Sequence, residues 1–240
     1  MKPTLPLPFV FLNLAMTADG KIETVNRSAL SFSSKRDRDH MMELRATADA
    51  VMSGARTVDL NPVTLGPGAA QYRQLRLKRG LAEYNLRVIA SRLATIDPEA
   101  KIFKTSFAPV VILTTERADR RRVRRLRELG AHVHVKAFGK AEVNFRSALA
   151  WLRAEWKVKR LLCEGGGELD DALFRGNLVD ELHLTICPKI FGGRSAPTIS
   201  DGIGSSSLAR ATQLRLHSMV RHGDEMFLVY RRAGKDRSVL

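Results

Sequence analysis

Short apolar runs alternate with amphipathic stretches through the first two thirds of this chain of 240 residues. The runs are short and rich in β-branched residues, which predicts buried strands. We predict these strands at Phe9–Leu14, Ala50–Met52, Leu86–Ala90, Val110–Leu113, His132–Val135 and Leu161–Cys163. Apolar residues three or four positions apart predict helices at Lys35–Ala48, Arg117–Leu129, Asn144–Trp156 and Leu169–Arg175. Strands that alternate with helices indicate a mostly parallel sheet covered on both faces.

The last third of the chain follows a different pattern, with strands that no helix separates. We predict strands at Glu181–Phe191, Gln213–Val220 and Glu225–Arg232, with a turn at His222–Asp224 that makes the last two an antiparallel hairpin. The predicted fold is therefore α/β, with one mixed sheet in a single domain over residues 1–240. Its core spans residues 8–232, Asn61–Tyr84 forms a long surface loop, and residues 234–240 form a frayed tail.

Composition adds a strong positive charge to this picture. Lysine and arginine exceed aspartate and glutamate by 15, so the surface attracts anions such as phosphorylated metabolites or nucleic acid. The densest basic cluster is Arg117–Arg127. Val123, Leu126 and Leu129 have helical spacing there, which puts the arginines on a solvated helix face.

Cysteine, histidine and hydropathy patterns narrow the class of protein further. The two cysteines lie far apart in apolar runs, which indicates buried thiols in a reducing, cytoplasmic compartment. The six histidines have no metal-ligand spacing, so we predict no metal site. No apolar stretch is long enough to cross a bilayer, and we expect no membrane partner.

The segment Cys163–Leu169 contains an acid followed by three glycines, between a predicted strand and a predicted helix. Glycines let backbone N–H groups approach a bound group, and the helix N-terminus adds its positive dipole end. This arrangement is typical of a phosphate cradle, although a tight turn that binds nothing has the same pattern. Glu164 would face the crevice at the carboxyl ends of the strands.

Three other segments follow predicted strands: Met16–Ile22, Gly54–Thr57 and Ala90–Arg92. Together with the glycine segment they place small residues, hydroxyls and arginines along one sheet edge, as a long anionic ligand such as a dinucleotide requires. Gly202–Ser207 superficially matches a dinucleotide fingerprint. It follows no clear strand and lacks the last glycine, so we exclude it.

Five ordered motifs carry a resemblance to a known family. They are Met16-Thr17-x-Asp19-Gly20-Lys21-Ile22, the stretch Leu44–Val58, Val88–Leu93, Cys163–Gly167 and Leu178–Gly193. In this order they resemble the riboflavin-biosynthesis pyrimidine reductases, which are dihydrofolate-reductase-like enzymes with a three-layer fold. The resemblance covers roughly residues 8–232.

The resemblance implies an NADPH-dependent oxidoreductase that reduces 5-amino-6-(5-phosphoribosylamino)uracil to its ribitylamino product. It implies that Asn13 lies at the reaction centre with Glu164, which acts as an acid or binds the uracil edge. Arg45, Ser31 and Ser33 would contact the phosphorylated substrate. The residues implied for NADPH are Met16, Thr57, Ser91, Arg92, Gly165, Gly166, Gly167, Glu168 and Leu169. Arg92 or Arg56 would pair with the 2′-phosphate of the cofactor.

The sequence departs from the family pattern mainly at the substrate end. Asn13 stands where many bacterial members have lysine, Leu60-Asn61-Pro62 replaces an Asp-Asp-Pro motif, and Ser28–Ser33 replaces a Ser-Trp-x-Thr type segment. A related NADPH reductase with another pyrimidine or pterin substrate is therefore the first alternative.

Two further expectations concern partners. A basic, non-enzymatic nucleic-acid-binding protein is the second alternative to the reductase, but aromatic residues make up 6% of the chain and none lies within the basic cluster. We therefore do not expect a nucleic-acid partner. The resemblance implies a homodimer, with Leu182–Ile186 and the terminal hairpin as interface material.

Overall fold

The computed structural model describes residues 6–27 and 32–233. The strands are β1 (Phe9–Thr17), β2 (Ala50–Gly54), β3 (Leu86–Ala90), β4 (Val110–Thr114), β5 (Val133–Ala137), β6 (Arg160–Cys163), β7 (Glu181–Cys187), β8 (Leu214–His222) and β9 (Glu225–Arg232). The helices are α1 (Lys35–Arg45), α2 (Ala55–Leu60), α3 (Ala70–Lys78), α4 (Arg120–Arg127), α5 (Phe145–Glu155) and α6 (Gly167–Arg175). Two short 3-10 turns lie at Lys101–Lys104 and Leu208–Arg210. The predicted frayed tail lies outside the described residues.

Contacts divide the chain into two compact units. The first unit contains residues 1–8 and 45–162, and the second contains residues 9–44 and 163–240. The prediction of a single reductase domain stays a prediction.

The first unit is built on parallel strands in the order β5-β4-β3-β2-β6. Gly54 of β2 lies beside Ala90 of β3, and Leu113 of β4 pairs with Lys136 of β5, so the carboxyl ends of these strands share one edge. The inner strands β2 and β4 are mostly apolar because both faces are covered, whereas the edge strand β5 alternates buried and exposed residues.

The second unit combines parallel and antiparallel strands in the order β1-β7-β9-β8. β1 pairs with β7 in parallel, whereas β7, β9 and β8 pair antiparallel. Gly223 turns the chain between β8 and β9 with a φ of +60°, a conformation that favours glycine. The predicted α/β fold, with mostly parallel strands and a C-terminal antiparallel hairpin, is confirmed.

Several predicted elements differ from the structure in their bounds; the strand predicted at Glu181–Phe191, for example, ends at Cys187. The helix predicted to run to Ala48 ends at Arg45, because the chain turns there and the Asp49 N–H donates to the Arg160 carbonyl. The predicted surface loop Asn61–Tyr84 contains the helix α3. The buried Arg76 side chain fixes this helix by donating to the carbonyls of Arg45, Ala48 and Ala82.

Within the described residues, no helix has the length and apolar character that crossing a membrane requires. Among residues 6–27 and 32–233, no three or more His, Cys, Asp or Glu side chains lie close enough together to hold a metal ion.

Candidate functional site

The glycine segment forms the turn between β6 and α6. Gly165 has a φ of +78°, and a Cβ at this position would lie 3.1 Å from both Leu14 and Asp170. A Cβ on Gly167 would lie 2.7 Å from the Thr198 carbonyl oxygen. Packing alone therefore explains two of the three glycines, in agreement with the tight-turn interpretation.

Gly166 has a different role, because it is the N-cap residue of α6. Its φ of −85° and ψ of −179° are accessible to any residue, and as a glycine it has no side chain of its own to cap the helix. The first backbone N–H groups of a helix have no partner within the helix, and the dipole gives this end a partial positive charge. The end of α6 thus keeps the features of an anion-binding turn.

A buried carboxyl group lies directly beneath this turn. Asp170 is fully buried, and its Oδ1 lies 3.5 Å from the Cys163 thiol. Its Oδ2 has no hydrogen-bond partner among the described residues. Burial raises the pKa of Asp170 well above its usual value, which favours the neutral carboxylic acid. The sequence gives no sign of this, because an acid in the first turn of a helix is normally solvated.

Asn13 lies in the middle of β1. The next residue, Leu14, packs against Gly165, and the Asn13 side chain points to the opposite face of the strand. Asn13 is 8% exposed, and its Oδ1 has no hydrogen-bond donor among the described residues. A buried amide oxygen without a donor is costly in a finished interior. It is therefore the group in this part of the unit that best fits a polar ligand. The half-buried Met16 lies farther along the same strand.

Asp19 ties two of the recognised motifs together, a role that the sequence analysis did not assign. Its carboxylate accepts hydrogen bonds from the Thr17 hydroxyl at 2.5 Å and from the Phe191 and Gly192 N–H groups. These bonds, led by the one from Thr17, lower the pKa of Asp19. The Asp-Gly segment after β1 and the Phe-Gly-Gly segment after β7 are thus one structural unit.

Asp171 anchors the segment that follows Thr198 onto α6. Its carboxylate accepts from the N–H groups of Ile203 and Gly204 and from Arg175. Gly202 packs directly on this carboxylate and leaves no space for a Cβ. The exclusion of a dinucleotide fingerprint at Gly202–Ser207 agrees with this structural use of its glycines.

In the first unit, Thr57, Ser91 and Arg92 lie at the carboxyl ends of β2 and β3. Thr57 is in α2, directly after β2, and Ser91 directly follows β3. The Ser91 hydroxyl accepts a hydrogen bond from the Thr95 N–H at 3.1 Å and still has its own proton to donate. The Arg92 side chain is half exposed and lies 3.5 Å from Glu142, a solvated pair of small energetic value.

The residues predicted for substrate binding are less well grouped. Arg45 is buried at the end of α1, and its Nη1 donates to the Gly66 carbonyl at 2.7 Å. The carbonyl of Ser33 accepts from Arg38, while the neighbouring Ser34 hydroxyl caps α1 through the Asp37 N–H. Ser31 lies outside the described residues. Glu164 is half-buried at the end of β6.

Known proteins show a consistent similarity to this chain. A profile of the family described as the RibD C-terminal domain matches residues 8–228. The chain is 33% identical to a 2,5-diamino-6-ribosylamino-4(3H)-pyrimidinone 5′-phosphate reductase of Methanothermobacter thermautotrophicus, over 93% of this chain and 97% of the relative. The protein of the same name from Archaeoglobus fulgidus is also 33% identical, with 81% and 87% of the two chains covered.

Solved structures with lower identity share the fold. A pyrimidine reductase-like protein from Corynebacterium diphtheriae superposes with a TM-score of 0.78 at 22% identity, over 95% of this chain and 93% of that one. The deaminase/5-amino-6-(5-phosphoribosylamino)uracil reductase of Thermotoga maritima gives a TM-score of 0.73 at 22% identity, with 57% of its chain covered.

Proposed function

Because the chain belongs to the RibD C-terminal domain family, we propose that it is an NADPH-dependent reductase of a ribosylaminopyrimidine phosphate in riboflavin biosynthesis. The observation that carries this proposal is the N-terminus of α6, which follows the glycine turn and begins at the glycine N-cap Gly166. The amide oxygen of Asn13, buried without a donor among the described residues of the same unit, supports it.

The chain offers suitable groups for the cofactor. The glycine turn and the first residues of α6, Gly165–Leu169, are assigned to the diphosphate, since a helix N-terminus favours an anion. The Leu169 N–H itself donates to the Gly166 carbonyl. Thr57 and Ser91 are assigned to the same nucleotide. Arg92 or Arg56 is assigned to its 2′-phosphate, because a guanidinium binds phosphate in a bidentate way. When bound, NADPH supplies the hydride that reduces the ribosyl C1 in its open-chain or imine form.

The chain's own residues orient the substrate and exclude water. The Asn13 carboxamide has no acidic proton to give at neutral pH, so we assign it to binding and orientation of a hydroxyl or amino group near C1. Glu164 would accept hydrogen bonds from the pyrimidine edge or deliver a proton. Arg45 would neutralise the phosphate of the substrate.

The relatives favour one substrate over the one that the sequence analysis named. Three relatives at 30–33% identity carry the name of the diaminopyrimidinone phosphate reductase, and chain coverage among them reaches 96%. We therefore propose 2,5-diamino-6-ribosylamino-4(3H)-pyrimidinone 5′-phosphate as the substrate. 5-Amino-6-(5-phosphoribosylamino)uracil remains the second candidate, since the Thermotoga maritima structure of the same fold bears that name.

A pair of substitutions at Gly166 tests the cofactor site. Aspartate and asparagine are both good N-cap residues, so Gly166→Asp and Gly166→Asn should both preserve α6. Only aspartate puts a negative charge where the diphosphate would bind. We expect Gly166→Asp to weaken NADPH binding at least about tenfold more than Gly166→Asn, or about 1.4 kcal/mol, in a titration that follows nicotinamide fluorescence. Equal affinity of the two variants would contradict the proposed site.

Two further measurements decide cofactor and substrate. Arg92→Ala should weaken NADPH binding and leave NADH binding unchanged, while the exposed Arg79→Ala should change neither. Turnover of each pyrimidine, followed at the NADPH absorbance band, should favour the diaminopyrimidinone. Faster reduction of the uracil would reverse the substrate assignment, and reduction of neither would contradict the proposed reaction.

We also propose a homodimer through the terminal hairpin. β8 is an edge strand of its sheet order, and Leu216, Met219 and Val220 are 54%, 60% and 61% exposed. Exposed apolar side chains on an edge strand are typical of an interface with a second copy. Light scattering should give a dimer mass for the unmodified chain and a monomer mass for Val220→Lys. A monomer in both cases would contradict this proposal.

A further inference from the structure

A cavity of about 320 Å³ lies at the free edge of β5, in the first unit. The side chains that matter for its chemistry are Arg127, His134, Lys136, Trp151 and Trp156. None of them belongs to the residues assigned to the proposed reductase reaction. The volume is at the lower end of the range for small-molecule sites and matches one planar group better than a bulky ligand.

Aromatic rings dominate this cavity. The Trp156 ring lies 5.0 Å from His134 and 6.4 Å from Trp151, both near edge-to-face. The ring of Phe138 lies 5.5 Å behind Trp151 and supports it. Both tryptophans are only half-buried, whereas Leu149 and Leu152 of the same region have no exposed surface. The leucines thus complete the core, and the indoles keep surface that a flat ligand can cover.

Cationic side chains border the rings. The Arg127 Nη2 donates to the Val135 carbonyl at the free strand edge at 3.1 Å, which holds the guanidinium beside the cavity. Lys136 is exposed on the same strand. Neither cation pairs with a carboxylate among the described residues, so the border of the cavity keeps a positive charge.

Arg127 also links the cavity to the basic helix α4. Arg120, Arg124 and Arg127 have the spacing that puts residues on one helix face, and this row extends roughly 10 Å. Arg124 makes an exposed 3.5 Å contact with Glu128, which screens it only weakly. The helix therefore presents a row of guanidinium groups that ends at the aromatic cavity.

We infer that this face binds single-stranded nucleic acid, with one base in the cavity against Trp156 and the flanking phosphates on Arg127 and the α4 arginines. Stacked bases and neutralised phosphates are the two contributions by which proteins bind single strands. The sequence argued against such a partner because no aromatic residue lies within the basic cluster. The fold supplies the rings from β5 and α5 instead. An acidic peptide would use the arginines but would leave the indoles without a stacking partner.

The chain contains two tryptophans, and both line this cavity. Intrinsic tryptophan fluorescence is therefore a direct readout of its occupancy. We expect a 12-nucleotide oligouridylate to quench the emission and to bind with micromolar affinity near 100 mM salt, as measured in parallel by anisotropy of an end-labelled strand. The assay contains no NADPH, so failure of the reductase proposal leaves this result unaffected.

Matched variants separate a built site from general attraction to a basic protein. Arg127→Gln and Arg210→Gln each remove one exposed arginine, but Arg210 lies in the other unit. We expect Arg127→Gln to weaken binding about fivefold or more and to reduce the salt slope by about one, and Arg210→Gln to change affinity less than twofold. Trp156→Ala should lose affinity about tenfold, and Trp156→Phe should keep most of it because a stacking ring remains.

Three outcomes would overturn the inference. Equal losses in Arg127→Gln and Arg210→Gln, without quenching, would show non-specific electrostatic binding. Equal affinity for a duplex of the same length would exclude a base in the cavity. Quenching by free uridine monophosphate with the affinity of the oligonucleotide would assign the cavity to a free nucleotide and exclude a strand.

Discussion

The two units bury opposite charges. Among the described residues, the charged side chains buried in the first unit are all arginines, namely Arg45, Arg76 and Arg87. The residues buried as a whole in the second unit are acids, namely Asp37, Asp170, Asp171, Asp180, Glu181 and Glu225, and the 8% exposed side chain of Arg232 lies 3.8 Å from one of them, Asp180. The difference concerns what each kind of group does with the backbone, and how each responds to pH.

The buried arginines act as multiple hydrogen-bond donors to backbone carbonyls. Arg87 donates to the carbonyls of Ile102, Thr105 and Ala108, and its guanidinium lies 4.5 Å from the Phe107 ring centroid. Burial lowers the pKa of Arg87 to about 10, which leaves it charged at neutral pH. A network of this kind does not change its charge between about pH 4 and 8.

The buried acids act as acceptors, and several hold segments around the candidate site. Asp180 accepts from the Val10 N–H at the start of β1, and Glu225 accepts from Ser34 before α1. Because carboxyl groups titrate in the acid range, the unit that carries the glycine turn is the one whose stability should depend on pH. Four predictions sharpen or break this contrast.

The largest expected effect is that of Arg87→Met. It leaves three carbonyl groups, two of them buried and one partly buried, without their donor, so we expect the free energy of unfolding to fall by about 3 kcal/mol. Urea unfolding followed by circular dichroism measures the change. The exposed Arg79→Met should stay within about 0.5 kcal/mol of the unmodified chain. The deficit of Arg87→Met should be the same at pH 5 and pH 8, and a strong pH dependence would break the comparison.

Glu181 provides the second prediction, in the acid range. Burial alone would raise its pKa, but hydrogen bonds from His183 at 2.8 Å and Arg231 at 2.9 Å outweigh burial and lower the pKa to about 2. A lowered pKa means that this stabilisation is present above about pH 5 and is lost as the pH falls toward 2.

The size of that loss is limited by solvent. Arg231 is 42% exposed, so water screens the pair, and we expect about 1–2 kcal/mol. Unfolding free energies measured from pH 7 to pH 3 should show a shallower slope for Glu181→Gln than for the unmodified chain. Parallel slopes would show that Glu181 does not cause the acid sensitivity of the second unit.

Asp170 should behave in the opposite way, which divides the buried acids into two classes. Burial raises its pKa, so the folded state keeps the proton that the unfolded state releases above about pH 4. Stability contributed by this group therefore falls as the pH rises through that range. Asp170→Asn, a neutral group of the same shape, should gain stability relative to the unmodified chain as the pH rises above about 4. A variant that becomes relatively less stable with rising pH would place Asp170 in the class of Glu181.

The same contrast explains which parts of the molecule could be predicted from the sequence. Strands such as Val110–Leu113 and Leu161–Cys163 were predicted because their buried residues form unbroken apolar runs. The helix α3 was missed because its one buried residue is Arg76, which a hydropathy pattern counts as solvated. A hydropathy pattern assigns charged residues to the solvent, so a buried arginine is placed on the wrong face of its helix.

The candidate site shows the same limit. The glycine turn was recognisable because its residues are contiguous, and the end of α6 lies where the motif predicts. The roles of Asp19 and Asp171 could not be recognised from the sequence, because their hydrogen-bond partners Gly192 and Ile203 lie 173 and 32 residues away along the chain. The aromatic cavity at β5 was missed for the same reason, since its rings come from separate elements.

The smallest expected effect is that of Asp119, an exposed acid of the first unit. Like the buried Asp171 of the second unit, it accepts hydrogen bonds from backbone N–H groups. The Asp119 carboxylate caps α4 by accepting from the Arg121 and Arg122 N–H groups, and these bonds, led by the one from Arg122, lower its pKa. Asp119→Ala should lower the thermal midpoint only slightly, because water can replace the cap, and Asp119→Asn should restore it. Asp171→Ala in the second unit should lower the midpoint much more, since its donors at Ile203 and Gly204 meet a carboxylate with almost no exposed surface. Equal decreases in the two alanine variants would mean that burial of the acid, the feature on which the comparison of the two units depends, adds nothing to its effect on stability.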